Sequence, residues 1–439
     1  MGYGTTRQLS RNATSMLIER KSTAHTGMVV TVRRHGLAEQ PRQGETSTFW
    51  TSTACEGARS FVFTFPLDPQ ALFHERSRQF AGWGIPWPVI RRMQARIRDC
   101  WDEAPGGWAY EWISEAREAE RQKRFILAAL LYGAARFPCI TSPLRIQALQ
   151  AQMTCFERGM HGLSLQVERR QVALTGPCAL TMPVHLYSPR TGGEPPLVLL
   201  SGGVDTGKVE LHRLACLLAQ MGRFRVAAID MPGTAESGLP LTADAHLTYQ
   251  GLLNALAPNG RKAVVGVSFG GHWAAKLALL ESVDAAVNLG GPTVVFESGS
   301  AFMRSLPNGM PGIIANTLGL PGMPEDAAMA NFMRPFSLQA QGLLERQICA
   351  PMLVINGEHD QYIPQQDSMV LARYARNKIW LMRGMTHCAA EGLVRILPAI
   401  VAWLRVQLLG NTVGARLALS LAEWMLPGQL ALPGLGASG

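Results

Sequence analysis

Between residues 160 and 400, short apolar runs alternate with helix-length amphipathic stretches. This alternation predicts an α/β fold on an eight-stranded, mostly parallel sheet. Two further observations point the same way. A serine flanked by glycines follows one of the runs directly and precedes a helical stretch. An acid and a histidine follow two later runs, in the chain order such a serine needs.

The runs fall at 163–167, 182–187, 197–200, 226–229, 263–267, 285–289, 352–355 and 379–382. Runs of this length that lack strict polar alternation suit strands covered on both faces. The first two, bounded by polar turns, read as an antiparallel leading hairpin. Before them, residues 71–160 read as a helical cap. Trp112, Ala116 and Ala119 start a stripe that Ile126, Ala129, Leu130 and Gly133 continue, and Pro138 closes that helix. Leu144, Ile146, Leu149 and Met153 indicate another helix. Residues 1–70 lack sustained periodicity and read as a poorly ordered leader. Residues 161–409 form the sheet domain. It is interrupted at 292–350 by an insert rich in Met, Gly and Pro that reads as a lid. Residues 410–439 form a tail with one helix at 415–426.

Composition narrows the function classes. The 439 residues are 47% hydrophobic and 17% charged, a globular balance. No run of about 18 uncharged apolar residues is present, so no stable membrane insertion is expected. The net charge of +9 is uneven: residues 1–45 hold seven basic and three acidic side chains. No basic stripe with interleaved aromatics accompanies it, so no nucleic-acid partner is expected. The eight cysteines form no CxxC pair and do not cluster with histidine. They predict a reducing, cytoplasmic setting with no metal and no cofactor.

The chemistry centres on Gly266-Val267-Ser268-Phe269-Gly270. A G-x-S-x-G sequence between strand and helix is the context of a nucleophile elbow, in which a sharp turn lifts the serine oxygen to the carboxyl end of the sheet. Ser268 is the expected nucleophile. Asp360, just past the run 352–355 and before Pro364, is the expected acid. Glu358 and Asp367 are neighbours it must be told apart from. His387, 27 residues further on, is the expected base, with His272 and His359 one step out of phase and Cys388 a packed neighbour. The oxyanion hole needs two backbone N–H groups. One is expected from Phe269, the other from Gly203 or Val204 in the loop after the run 197–200. Asp230 reads as a structural turn residue.

At this point the chain resembles an α/β-hydrolase, and in particular the FrsA-like esterases with the related 2,6-dihydroxypseudooxynicotine hydrolases and fungal polyketide-shortening hydrolases. The resemblance rests on Gly202-Gly203-Val204-Asp205-Thr206-Gly207-Lys208-Val209-Glu210, on Gly107-Trp108-Ala109-Tyr110-Glu111-Trp112, on the stretch 128–138, and on Phe336-Ser337-Leu338 followed by Gln341-Gly342-Leu343-Leu344. It spans about residues 75–408. It implies that the helical segment caps the sheet, that Asp205 and Tyr132 lie against a small-molecule substrate, and that a homodimer is possible. The function so implied is hydrolysis of a carboxylic ester, or of a carbon–carbon bond next to a ketone, in a bulky apolar acyl, aromatic or polyketide-like substrate. Thioester cleavage or acyl transfer with cyclisation is one alternative. A catalytically silent FrsA-like binding protein is another.

Overall fold

A computed structural model describes residues 63–174, 180–190 and 193–430. The first five helices precede the sheet: α1 (Pro69–Trp83), α2 (Trp87–Arg96), α3 (Trp108–Arg121), α4 (Phe125–Arg136) and α5 (Pro143–Met160). Asp68 and Ser142 cap α1 and α5 by accepting from backbone N–H groups of the first turn, and a proline follows each cap. Residues 128–136 of α4 are buried all round, which is why their small apolar side chains form no one-sided stripe. Phe73, Phe80, Trp108, Trp112 and Phe137 pack as one aromatic cluster, and the Trp108 indole donates to the Ala134 carbonyl at 2.7 Å.

The sheet contains β1 (Gln166–Leu174), β2 (Leu180–Ser188), β3 (Leu197–Ser201), β4 (Arg225–Ile229), β5 (Lys262–Val267), β6 (Ala285–Leu289), β7 (Met352–Gly357) and β8 (Lys378–Met382). Their spatial order is β1-β2-β4-β3-β5-β6-β7-β8. β2 is antiparallel to both β1 and β4, and all other neighbours are parallel. Alternate residues serve opposite faces. Val198, Leu200 and Val265 share a core with α1–α5, whereas Leu197, Leu199 and Val264 share another with the helices that follow β4 and β5.

The strand reading needs one correction. The apolar run 163–167 is mostly the turn after α5, where the Leu163 N–H donates to Met160. The edge strand itself is the polar stretch from Gln166 to Leu174, which pairs with β2 on one side only and fully buries only Val167 and Val172. A second correction concerns the leader. Residues 63–68 are packed: Phe65 is 4% exposed, stacks edge-on against Trp101, and its carbonyl accepts from the Trp101 indole at 2.8 Å. A short extended segment has no helical period to reveal it. The rest of the expected leader, residues 1–62, lies outside the described residues, as does the end of the tail after residue 430.

The connections carry α6 (His212–Gly222), α7 (His246–Leu256) and α8 (Phe269–Leu279). The insert after β6 folds as three short helices, α9 (Gly299–Ser305), α10 (Met310–Thr317) and α11 (Asp326–Met333). Met303, Met329 and Met333 fill the core beneath it, so most of its methionines serve packing. After β7 comes α12 (Gln365–Met369), and after β8 come α13 (Leu393–Leu409) and α14 (Val413–Trp424). Residues 387–409 form the one stretch among the described residues long and apolar enough to cross a membrane, yet half of it is buried. Ile396, Ala399, Ile400, Trp403 and Leu404 of α13 pack into the core. α14 buries Leu419 against the body and leaves Leu417, Leu421 and Trp424 exposed.

Buried charge ties the helical layer to the sheet. Arg136, at the end of α4, meets Glu210 at 2.7 Å, and Gln152 of α5 bridges the two. Both side chains of the pair are almost wholly buried. Glu210→Ala leaves the guanidinium without its counter-charge and is expected to destabilise the protein by about 3–5 kcal/mol. Urea unfolding checks this, and replacing both partners by methionine is expected to cost less than the single change.

Candidate active site

β5 runs into α8 with Ser268 alone between them. Ser268 has φ 56° and ψ −130°, a conformation that costs a non-glycine residue energy and persists only where the surroundings enforce it. They do so on three sides. Its N–H donates to Leu289 of β6 at 2.8 Å, and its carbonyl accepts from Gly271 at 2.7 Å. A Cβ at Gly266 would stand 2.0 Å from the Gly270 carbonyl oxygen, and one at Gly270 would stand 2.5 Å from that of Gly202. The turn therefore closes only with glycine on both sides.

His387 Nε2 lies 2.9 Å from Ser268 Oγ, and His387 Nδ1 lies 2.7 Å from Asp360 Oδ2. The other carboxylate oxygen accepts from the N–H groups of Tyr362 at 2.7 Å and Ile363 at 3.1 Å. Burial works against charge on Asp360, but His387 and these donors hold it below the usual carboxylate range. Burial likewise opposes charge on His387, and the Asp360 carboxylate outweighs it, so the imidazole sits well above its ordinary value. Asn356, at the end of β7, joins the two loops: its Oδ1 accepts from the Cys388 N–H at 3.1 Å. Nothing near it in sequence marks Asn356 for that task.

The other candidates separate. His359 is exposed beside Glu358, whose carboxylate accepts from Gly384 at 2.8 Å. His272 is buried in α8 with Nδ1 on the Pro292 carbonyl, and burial holds it down to about 3. Asp367 accepts from Thr293 and Val294 and so anchors the root of the lid insert. Burial pushes its carboxyl up to about 6 despite those bonds. Cys388 is packed, its thiol on the Leu289 carbonyl. Asp230 is structural: it receives the Lys208 ammonium at 2.5 Å and the Lys208 N–H at 2.8 Å.

Gly203 lies against the serine. A Cβ there would be 2.8 Å from Ser268 Oγ and 3.1 Å from the Phe269 nitrogen. Phe269 opens α8, so its N–H has no acceptor inside the helix and stands at the positive end of the helix dipole. Among the described residues no group of three His, Cys, Asp or Glu side chains is placed to hold a metal ion.

Residues 101–409, well over half of the chain, match the family "Esterase FrsA-like". The chain belongs to this family. It is 29% identical over 287 residues to Esterase FrsA of Escherichia coli O139:H28 (strain E24377A / ETEC), covering 61% of this chain and 68% of that one. Esterase FrsA of Vibrio cholerae serotype O1 (strain ATCC 39541) is 26% identical over 345 residues, covering 73% and 82%. Two solved structures share the architecture. AbyA5 superposes with a TM-score of 0.66 at 22% identity, covering 76% of this chain and 95% of its own. The 2,6-dihydroxy-pseudo-oxynicotine hydrolase does so with 0.61 at 18%, covering 82% and 100%. The fold is that of the α/β-hydrolases, and this FrsA-like chain is a hydrolase.

The FrsA-like loop at 202–210 carries Asp205 into the cavity that holds Ser268 and His387. Arg76, from α1, reaches the same cavity. Its guanidinium lies 3.3 Å from Asp205 Oδ2 and donates to the Tyr362 hydroxyl at 3.2 Å. Neither Arg76 nor Tyr362 carries a motif, and the sequence does not show that they meet. Tyr132 does not join them. It is absent from the lining, and its hydroxyl donates to Glu120 of α3 at 3.2 Å. A helix buried on every side gives no sequence signal for which face meets the site, and Tyr132 falls on the other one.

With His387 acting as the general base, kcat/KM is expected to rise with pH through an apparent pKa above the ordinary 6.5 or so. The stability of the ion pair runs the other way: it is complete below the unfolded value and is lost as pH rises through the folded one. Asp360→Asn is expected to move the acid limb of the rate profile downward, read by pH–rate titration. Gly203→Ala, whose methyl enters the space beside Phe269 N and Ser268 Oγ, is expected to lower kcat by about 10²-fold or more, measured on any ester the protein turns over.

Proposed function

We propose that this hydrolase is a serine esterase that cleaves carboxylic esters of a bulky, mainly apolar small molecule. The observation that carries the reading is the continuous chain from Ser268 Oγ through both nitrogens of His387 to the buried Asp360 carboxylate. Ser268 attacks the ester carbonyl carbon while His387 Nε2 accepts its proton. The N–H groups of Phe269 and of Gly203 or Val204 receive the oxyanion. Collapse breaks the bond to the alcohol, which takes the proton from His387. Water, activated by the same imidazole, then releases the acid. Asp360 keeps its negative charge throughout and holds the imidazole in the right tautomer.

An ester is favoured because the curated relatives are esterases by name. The walls favour an apolar substrate: Phe296, Phe302, Leu306, Met310 and Ile314 of the insert face the serine across the cavity. The six cysteines among the described residues are free thiols, in keeping with a reducing, cytoplasmic setting.

A fluorophosphonate probe tests the reading. The wild type is expected to be labelled at Ser268. The Ser268→Ala variant is expected to escape labelling and lose about 10⁶-fold in turnover. A wild type that resists the probe, under conditions that label a known serine hydrolase, instead favours the catalytically silent binding protein.

A further inference from the structure

α14 is apolar on two opposite sides. One row holds Ala415, Leu419, Ala422 and Leu426 and turns toward the body: Leu419 is buried and the other three are half-buried. The other row, at the three- and four-residue spacing of helical neighbours, holds Val413, Leu417, Leu421 and Trp424, and Met425 closes it. These five side chains are between 61% and 82% exposed, Trp424 most of all. Single exposed apolar side chains are ordinary on a protein surface. Here five of the fifteen large ones exposed among the described residues stand together on one helix and its cap, over about 18 Å. A contiguous apolar row of this kind marks a surface that something covers.

The charge around the row says what covers it. The described residues carry 33 basic and 28 acidic side chains, and the stretch from Lys378 to Leu430 alone carries five basic and two acidic. Three of the five net positive charges therefore lie from β8 onward. Glu423, the one acidic residue of α14, is paired with Lys378 of β8. Arg416 is exposed next to Leu417. Arg383, whose N–H donates to Gly428 at 2.8 Å just past the helix, and Arg395, in the first turn of the α13 that packs on α14, are exposed as well. A second copy docked through α14 would bring this positive surface against itself. A negatively charged lipid surface complements it. Apolar side chains enter the boundary between headgroups and acyl chains, a tryptophan sits at headgroup level, and nearby Lys and Arg are drawn to the anionic lipids.

We propose that α14 is a docking surface for an anionic lipid bilayer, on which the protein rests reversibly with Val413, Leu417, Leu421 and Trp424 at the headgroup boundary. α13 stays packed in the core beneath it, so the contact is peripheral and no helix spans the bilayer. The proposal does not depend on the reaction at Ser268.

Flotation of the full chain with lipid vesicles tests it. One set is phosphatidylcholine alone, and the other has one part phosphatidylserine to two parts phosphatidylcholine. At about 0.1 M salt the wild type is expected to bind the anionic set at least tenfold more tightly than the neutral one. At about 1 M salt, where the screening length falls from about 10 Å to about 3 Å, that affinity is expected to drop at least tenfold. Combined Leu417→Ser, Leu421→Ser and Trp424→Ser is expected to lower it at least tenfold at the lower salt, with the urea midpoint unchanged. If this variant unfolds more readily, Trp424→Ser alone carries the test, with a loss of at least threefold. Arg416→Glu is expected to weaken binding to the anionic set and leave the neutral set unaffected. A wild type that binds neither set, or both equally, overturns the proposal. So does binding that survives the apolar substitutions, because it belongs to another part of the chain. A wild type that binds no vesicles and is a dimer in sedimentation equilibrium, with the triple variant a monomer, overturns it in favour of an interface between copies.

Discussion

The loop from Gly202 to Glu210 has no regular secondary structure of its own, yet its Gly203 lies so close to Ser268 that a Cβ there would stand 2.8 Å from the serine Oγ. Three buried charges hold it. Asp205 meets Arg76 of the first helix, Lys208 meets Asp230 at the end of β4, and Glu210 meets Arg136 of α4. Each pair joins the loop to a different part of the fold. Buried ion pairs add little net stability, because desolvation offsets their attraction, but separating the partners is costly. They act here as locators. The loop cannot shift without leaving a charge unpaired in the interior, so Gly203 stays against the serine.

The helical layer is for this reason part of the site. Arg76 comes from α1, passes Asp205 and bonds Tyr362, whose backbone N–H in turn supports Asp360. The same side chains that position the loop also close one wall of the cavity. The opposite wall is apolar and comes from the insert after β6, whose root Asp367 anchors. One wall is thus fixed by charge and the other by packing, and Ser268 stands between them.

What was legible in the sequence follows the range of the forces involved. Seven strands show as apolar runs because both of their faces are covered; β1 does not, because an edge strand can stay polar. The elbow is legible because strand, serine and helix are contiguous, and its glycines answer clashes only a few residues away. Asp360 and His387 follow from chain order and strand ends. Arg76, Asn356 and Tyr362 act through partners brought close only by the fold, and no local pattern announces them. Tyr132 shows the same limit from the other side: the sequence locates its helix but not the face that turns inward.

The pairing of Arg76 with Tyr362 spans 286 residues, and that of Arg136 with Glu210 spans 74. On the ribosome the helices that carry both arginines emerge first, with no counter-charge yet made. A nascent chain that stops short of residue 205 has two guanidinium groups aimed at an interior that does not exist. The five helices are therefore poor candidates for an autonomous folding unit. Their docking waits for the loop after β3, and the last contacts of Arg76 wait for residues beyond β7. Synthesis from the N-terminus thus completes the cavity around Ser268 late, after nearly all of the sheet has left the ribosome.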